Sequence, residues 1–247
     1  MGIFGLFKKK EQASAGSKDL ARYRKLVANR LSQDIDRQDA LRQLSQMKTP
    51  EAAGVLLTRF SWTLNPTITD HEEKEWAVDG IAAAGKEAII PLREFCKASE
   101  SLTWPIKALK RIVSDGEVEE ELLAILDQFD TDYTRNPEPK VQLLQALNDF
   151  PSDDVRLAVE PFLLDINEEV RFCAVPTVLT ADSEDSALAF VEALEDEESL
   201  RVKNRIALGL RDKEWCVPEE QREKLAEHLP PGFQVDSAGR VQGDSAN

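Results

Sequence analysis

Apolar residues recur at helical spacing along most of the chain, in short runs separated by polar connections, and no segment sustains the alternation of a strand. The runs come in pairs. First helices of a pair are predicted to begin near Pro50, Lys86, Gly116, Ser152 and Ser183, and second helices near Asp70, Ser101, Pro137, Asn167 and Glu198. The first helices are therefore spaced by 36, 30, 36 and 31 residues. Two connections, 64–69 and 131–138, carry inserts that lengthen alternate intervals. A shift of 66 residues superposes Lys74 on Lys140, Ile81 on Leu147, Ala108 on Ala174 and Ile112 on Val178. A unit this short cannot bury its apolar face alone, so a repeat of this period implies helix pairs stacked on their neighbours.

Capping chemistry agrees with these boundaries. Thr49-Pro50-Glu51, Ser152-Asp153-Asp154 and Ser183-Glu184-Asp185 each set a hydroxyl ahead of acidic residues, which suits the positive end of a helix. Pro105 and Pro137 fall near predicted helix starts, where a missing N–H is harmless, whereas Pro91, Pro161 and Pro176 fall inside helical patterns and are expected to kink them. Two flanking helices, about 36–47 and 218–229, are expected to act as caps.

The segment Glu169-Val170-Arg171-Phe172-Cys173-Ala174-Val175 returns in type as Ser199-Leu200-Arg201-Val202-Lys203-Asn204-Arg205. Together with Ala88-Ile89-Ile90-Pro91-Leu92 in a first helix and Ala207-Leu208 in a second, this pattern resembles the HEAT-like repeats first noted in phycobilisome lyases. The likeness covers roughly residues 36–212 and is strongest after Ser152. It implies an all-α fold, a right-handed α-α superhelix of about five helix pairs with helical caps spanning residues 19–230. Residues 1–18 are then expected to be a flexible N-terminal segment and 231–247 a polar, disordered tail.

Composition narrows the function. With 31 basic and 46 acidic residues the formal charge is −15, which makes a polyanion a poor default partner because nucleic-acid affinity rests on Lys and Arg. The three cysteines lie far apart, and the two histidines cannot build a His-rich metal site. Phosphate-binding loops, dinucleotide turns and nucleophile elbows are absent from the sequence. No catalytic residue, cofactor or metal is therefore assigned. A reducing cytoplasmic setting and a monomer are the simplest expectations.

What remains is binding. Lys74, Pro105, Lys140, Arg171 and Arg201 share one position near the start of successive second helices, either as a ladder between repeats or as a basic stripe for an acidic ligand. Trp104, Lys107 and Arg111 lie at i, i+3 and i+7 and so share a helix face. With Arg171 and Lys203 they form the expected contact set for a protein partner, an acidic segment included, on the concave second-helix side. Two other classes stay open. Phe4, Phe7, Lys8, Lys9 and Lys10 could rest on an anionic membrane surface as a peripheral anchor. A lyase-like or DNA-repair-type enzyme on the same scaffold would need a pocket around Trp62, Trp76 or Trp104.

Overall fold

A computed structural model describes residues 18–244, so the expected membrane contacts Phe4, Phe7, Lys8, Lys9 and Lys10 and most of the expected flexible segment lie outside the described residues. The described chain is almost entirely helical. After α1 (18–28) come α2 (Asp34–Met47), α3 (Pro50–Leu57), α4 (Thr67–Ala83), α5 (Ile89–Cys96), α6 (Thr103–Ile112) and α7 (Asp115–Leu126). They are followed by α8 (Glu138–Leu147), α9 (Asp153–Val159), α10 (Glu168–Thr180), α11 (Ala187–Glu195), α12 (Leu200–Lys213) and α13 (Glu219–His228). No described helix is long and apolar enough to cross a membrane.

The predicted starts hold to within a few residues, and of the three predicted caps Thr49 and Ser152 bond the first turn while Ser183 makes no side-chain cap bond. Thr49 and Ser152 each accept a hydrogen bond from a backbone N–H in the first turn, from Ala52 and Val155 respectively, and Ser199 does the same for Val202. Four of the first helices, α7 being the exception, depart from the expectation in being short and tightened at one end. α5 and α11 are entered through 3-10 turns, Gly85–Ala88 and Glu184–Ser186, while α3 and α9 run out into Thr58–Ser61 and Glu160–Leu164. Pro161 lies in the last of these, where it cannot continue an α-helical ladder, whereas Pro176 lies within α10.

The chain forms two compact units, and the boundary falls inside α7 between Val118 and Glu119. In the N-terminal unit the second helices α4 and α6 follow α2 in one packed series, with α3 and α5 packed together behind them. Leu41, Leu44, Leu56, Val78, Ile81, Leu92 and Leu109 are fully buried between these layers or nearly so. In the C-terminal unit α8, α10 and α12 form the corresponding series, backed by α9, α11 and α13. Leu143, Leu144, Val170, Val178, Phe190, Leu194, Ile206 and Leu210 fill its core.

Residues 231–244, expected as part of a polar tail, instead hold an antiparallel hairpin, β1 (Phe233–Val235) with β2 (Val241–Gly243). The apolar Phe233, Val235 and Val241 alternate with Gln234 and Gln242, a strand period too short to stand out in a helical chain. Asp236 makes the turn: its Oδ1 accepts from the N–H groups of Ala238 and Arg240, and Gly239 supplies the positive φ of 89°. Val241 is almost wholly buried, β2 packs on α12, and β1 packs on α13.

Candidate functional site

The buried charges of the N-terminal unit are structural. Arg37 of α2 and Arg59 after α3 are both fully buried and both donate to Glu73 of α4, at 2.8 and 2.9 Å for Arg37 and 2.9 Å for Arg59. Arg59 also donates to Asp70 at 2.8 Å, and Lys74 pairs with the other Asp70 oxygen at 2.8 Å. Burial works to raise the Asp70 pKa, but the bonds from Lys74 and Arg59 outweigh it and the net shift is downward. Trp62 covers the cluster, its ring centroid 3.9 Å from the Arg59 guanidinium and 5.4 Å from that of Arg37. On its other side Trp62 borders a cleft of about 780 Å³ with Phe60 and Phe95. The carboxylate of Glu94 at that cleft pairs with Lys97 at 2.7 Å, its side chain 65% exposed, whereas the buried Glu73 and Asp70 are spent on arginines and lysine.

The shared basic position resolves residue by residue. Lys140 is buried and donates to Asp165 at 2.7 Å and to the Asp132 carbonyl at 3.0 Å. Arg171 grips Glu197 with two bonds, at 2.7 and 2.8 Å, and also donates to the Asp165 carbonyl. Both acids in turn accept from the backbone ahead of the next second helix, Asp165 from Asn167 and Glu197 from Ser199. Arg171 is therefore a rung of an internal ladder, joining one second helix to the loop that leads into the next. Pro105, at the same position, is buried without a charge to place.

Trp104, Lys107 and Arg111 do come together on α6, as predicted. Trp104 is half-buried, stacked 6.0 Å from Phe60 and edge-on to His71 at 5.2 Å, with the Lys107 ammonium 5.1 Å from its centroid. Lys107 pairs with Glu75 of α4, and Arg111 with Glu75 and Asp79. Those hydrogen bonds, Lys107's first, hold the Glu75 pKa below the ordinary carboxylate range despite its partial burial. The cations of this face are thus already neutralised by the neighbouring helix.

The C-terminal unit places its cations differently. Arg201 and Arg205, one turn apart on α12, reach back to Phe172 of α10, with guanidinium carbons 3.8 and 3.9 Å from the ring centroid. Two planar groups that close to one centroid cannot share a face of the ring, so they flank it. Arg201 has a long ion pair to Glu168 at 3.9 Å, its own side chain 55% exposed. Arg205 has no carboxylate within ion-pair distance among the described residues. Burial lowers the Arg205 pKa, and the like charge of Arg201 works in the same direction. Asn204, which precedes Arg205 in α12, has its Oδ1 buried with no hydrogen-bond donor. Beside the ring lies Cys173, which receives a weak 3.8 Å contact from the Gln145 amide of α8. Its thiol pKa is raised, burial being the first cause.

Lys203, predicted as a contact, is two residues from both arginines and so faces away from them. It was singled out by charge, whereas the i, i+4 spacing of Arg201 and Arg205 is the signal that finds the aromatic clamp. Compared with known proteins, the chain matches no protein-family model and no curated protein sequence.

Proposed function

We propose that this chain is a HEAT-like repeat scaffold, its helix pairs continuing as one superhelix, that works by binding a protein partner on the second-helix side rather than by catalysis. The observation carrying this reading is the Phe172 clamp: an aromatic ring and two arginines held on a packed helix face, one arginine lacking an acidic partner. Aromatic and arginine side chains fixed in this way are the usual anchors of protein interfaces. Stacked helix pairs suit the task because each contacts only its neighbours while together they offer an extended surface. Fold alone does not imply function, so the reading stands on the clamp.

Affinity co-purification from native cells tests it, comparing wild type with Arg201→Gln/Arg205→Gln and with Lys107→Gln/Arg111→Gln, each of verified helicity. A stoichiometric protein partner that depends on either face supports a scaffold. The absence of any stoichiometric partner for the wild-type chain sinks it.

A further inference from the structure

From the chemistry of the Phe172 clamp we infer that the C-terminal unit binds an acidic peptide segment, whose carboxylates are taken by Arg205 and Arg201 on either side of the Phe172 ring. This inference rests on the scaffold reading and supplies its ligand class.

Three features converge on it. Charge comes first. In a chain of net −15, Lys107 and Arg111 of α6 and the ladder positions Lys140 and Arg171 are all held by carboxylates. Arg205 is not, and it carries the added repulsion of Arg201. A carboxylate arriving from outside relieves that repulsion and gains charge-assisted bonds in a half-desolvated place, where they are stronger than in water.

Pre-organisation is the second. A free arginine normally loses side-chain entropy when it binds, but both guanidiniums here already rest on Phe172, their carbons 3.8 and 3.9 Å from its centroid. A guanidinium lying on a ring keeps its N–H edge to donate. Such an edge matches the two oxygens of a carboxylate.

The third feature favours a peptide over a simple anion. The Asn204 amide, next to Arg205 in α12, makes no hydrogen bond to protein, and its buried Oδ1 is an acceptor without a donor. A main-chain N–H is the donor that such an acceptor lacks, and a peptide has one where phosphate and a free carboxylate do not.

The probe is a synthetic Glu/Asp-rich decapeptide with a fluorescent end label, titrated into the full chain at low ionic strength, with inorganic phosphate as competitor. Arg201→Gln/Arg205→Gln is expected to weaken binding by at least about tenfold, the loss of one or two charge-assisted bonds. Phe172→Leu, which keeps an apolar residue between the arginines, is expected to weaken it less. Lys107→Gln/Arg111→Gln is expected to leave it unchanged, because those cations already have partners. Far-ultraviolet circular dichroism of each variant separates lost binding from lost fold. Equal affinity for wild type and the arginine variant overturns the inference, as does no binding by wild type. Displacement by phosphate at the same concentration as by unlabelled peptide also overturns it, in favour of a small-anion site. A stoichiometric partner that co-purifies regardless of Arg201 and Arg205 would leave the scaffold reading standing while this inference falls.

Discussion

The two units use the same helix layer to opposite ends. In the N-terminal unit, the cations on the outward face of α6 look across at Glu75 and Asp79 of α4 and are consumed there. In the C-terminal unit the cations of α12 look across at Phe172 of α10, which orients them without cancelling their charge. The difference lies in a few residues on the preceding helix. An acid in that place makes a brace between helices, and a ring makes a clamp that still has hydrogen-bond donors to give. Net charge and the count of lysines and arginines along each helix say nothing about which of the two results.

The sharpest way to break the N-terminal unit is to remove the acid at its centre. Glu73→Ala leaves Arg37 and Arg59 buried without their shared carboxylate, and urea unfolding is expected to show a loss of about 3–5 kcal/mol. A loss under about 1 kcal/mol would show that the network is incidental to stability.

Helix approach gives a smaller contrast. A methyl group added at Gly80 of α4 runs into Ser45 of α2 and Leu56 of α3, whereas the three atoms nearest to one added at Gly209 of α12 all belong to Leu179. Gly80→Ala is expected to cost about 1–3 kcal/mol and Gly209→Ala less, because two side chains rather than one must move at Gly80. Thermal unfolding of the two variants should rank them in that order.

Acid should loosen both units. For Asp70 burial pushes the pKa up, but Lys74 and Arg59 pull it further down. For Glu197 burial is likewise outweighed by Arg171 and the Ser199 N–H. Carboxylates depressed in this way add stability that is fully present above their ordinary values of 3.8 and 4.5. That stability is lost as pH falls through the lower folded values. Trp62, Trp76 and Trp104 lie in the N-terminal unit and Trp215 in the C-terminal one, so the fluorescence of a Trp215→Phe variant reports the first unit alone, and Asp70→Asn should flatten its acid transition.

The smallest stability effect should come from Glu75→Gln, under about 1 kcal/mol because its ion pairs are partly exposed. It sharpens the comparison most, since it releases Lys107 beside Trp104, with Arg111 keeping Asp79, and so brings the N-terminal unit closer to the C-terminal one. The variant should gain measurable affinity for the acidic decapeptide at α6, and an unchanged titration would show that neutral partners are not what silences that face.

Much of the helix order was legible because capping hydroxyls, prolines and apolar spacing are local. Thr49 and Ser152 announce helix starts whatever they pack against. The pairing of Arg37 with Glu73 was not legible, because 36 residues separate them and nothing local marks either as buried. Arg171 sits at a position that the spacing does pick out, but whether that position is a rung or a stripe depends on Glu197, which lies in a loop. The clamp was half legible: Arg201 and Phe172 stand in the recurring segments, while their contact depends on how closely α12 approaches α10. The hairpin escaped because its apolar residues are three in number and its register depends on one turn.

That hairpin also decides how the chain can meet copies of itself. Stacked helix pairs are open at their ends, and an uncovered terminal pair offers a neighbour the surface that another repeat would occupy. Here the Gly239 carbonyl accepts from Val217, Arg222 donates to the carbonyls of Val217 and Ser237, and Arg211 donates to that of Gly243. These bonds pull the ribbon across α12 and α13 together, over both layers of the final pair. The ribbon thus lies against the face that a further repeat would pack on. A chain cut after Leu229 should expose that end and lengthen into oligomers as its concentration rises.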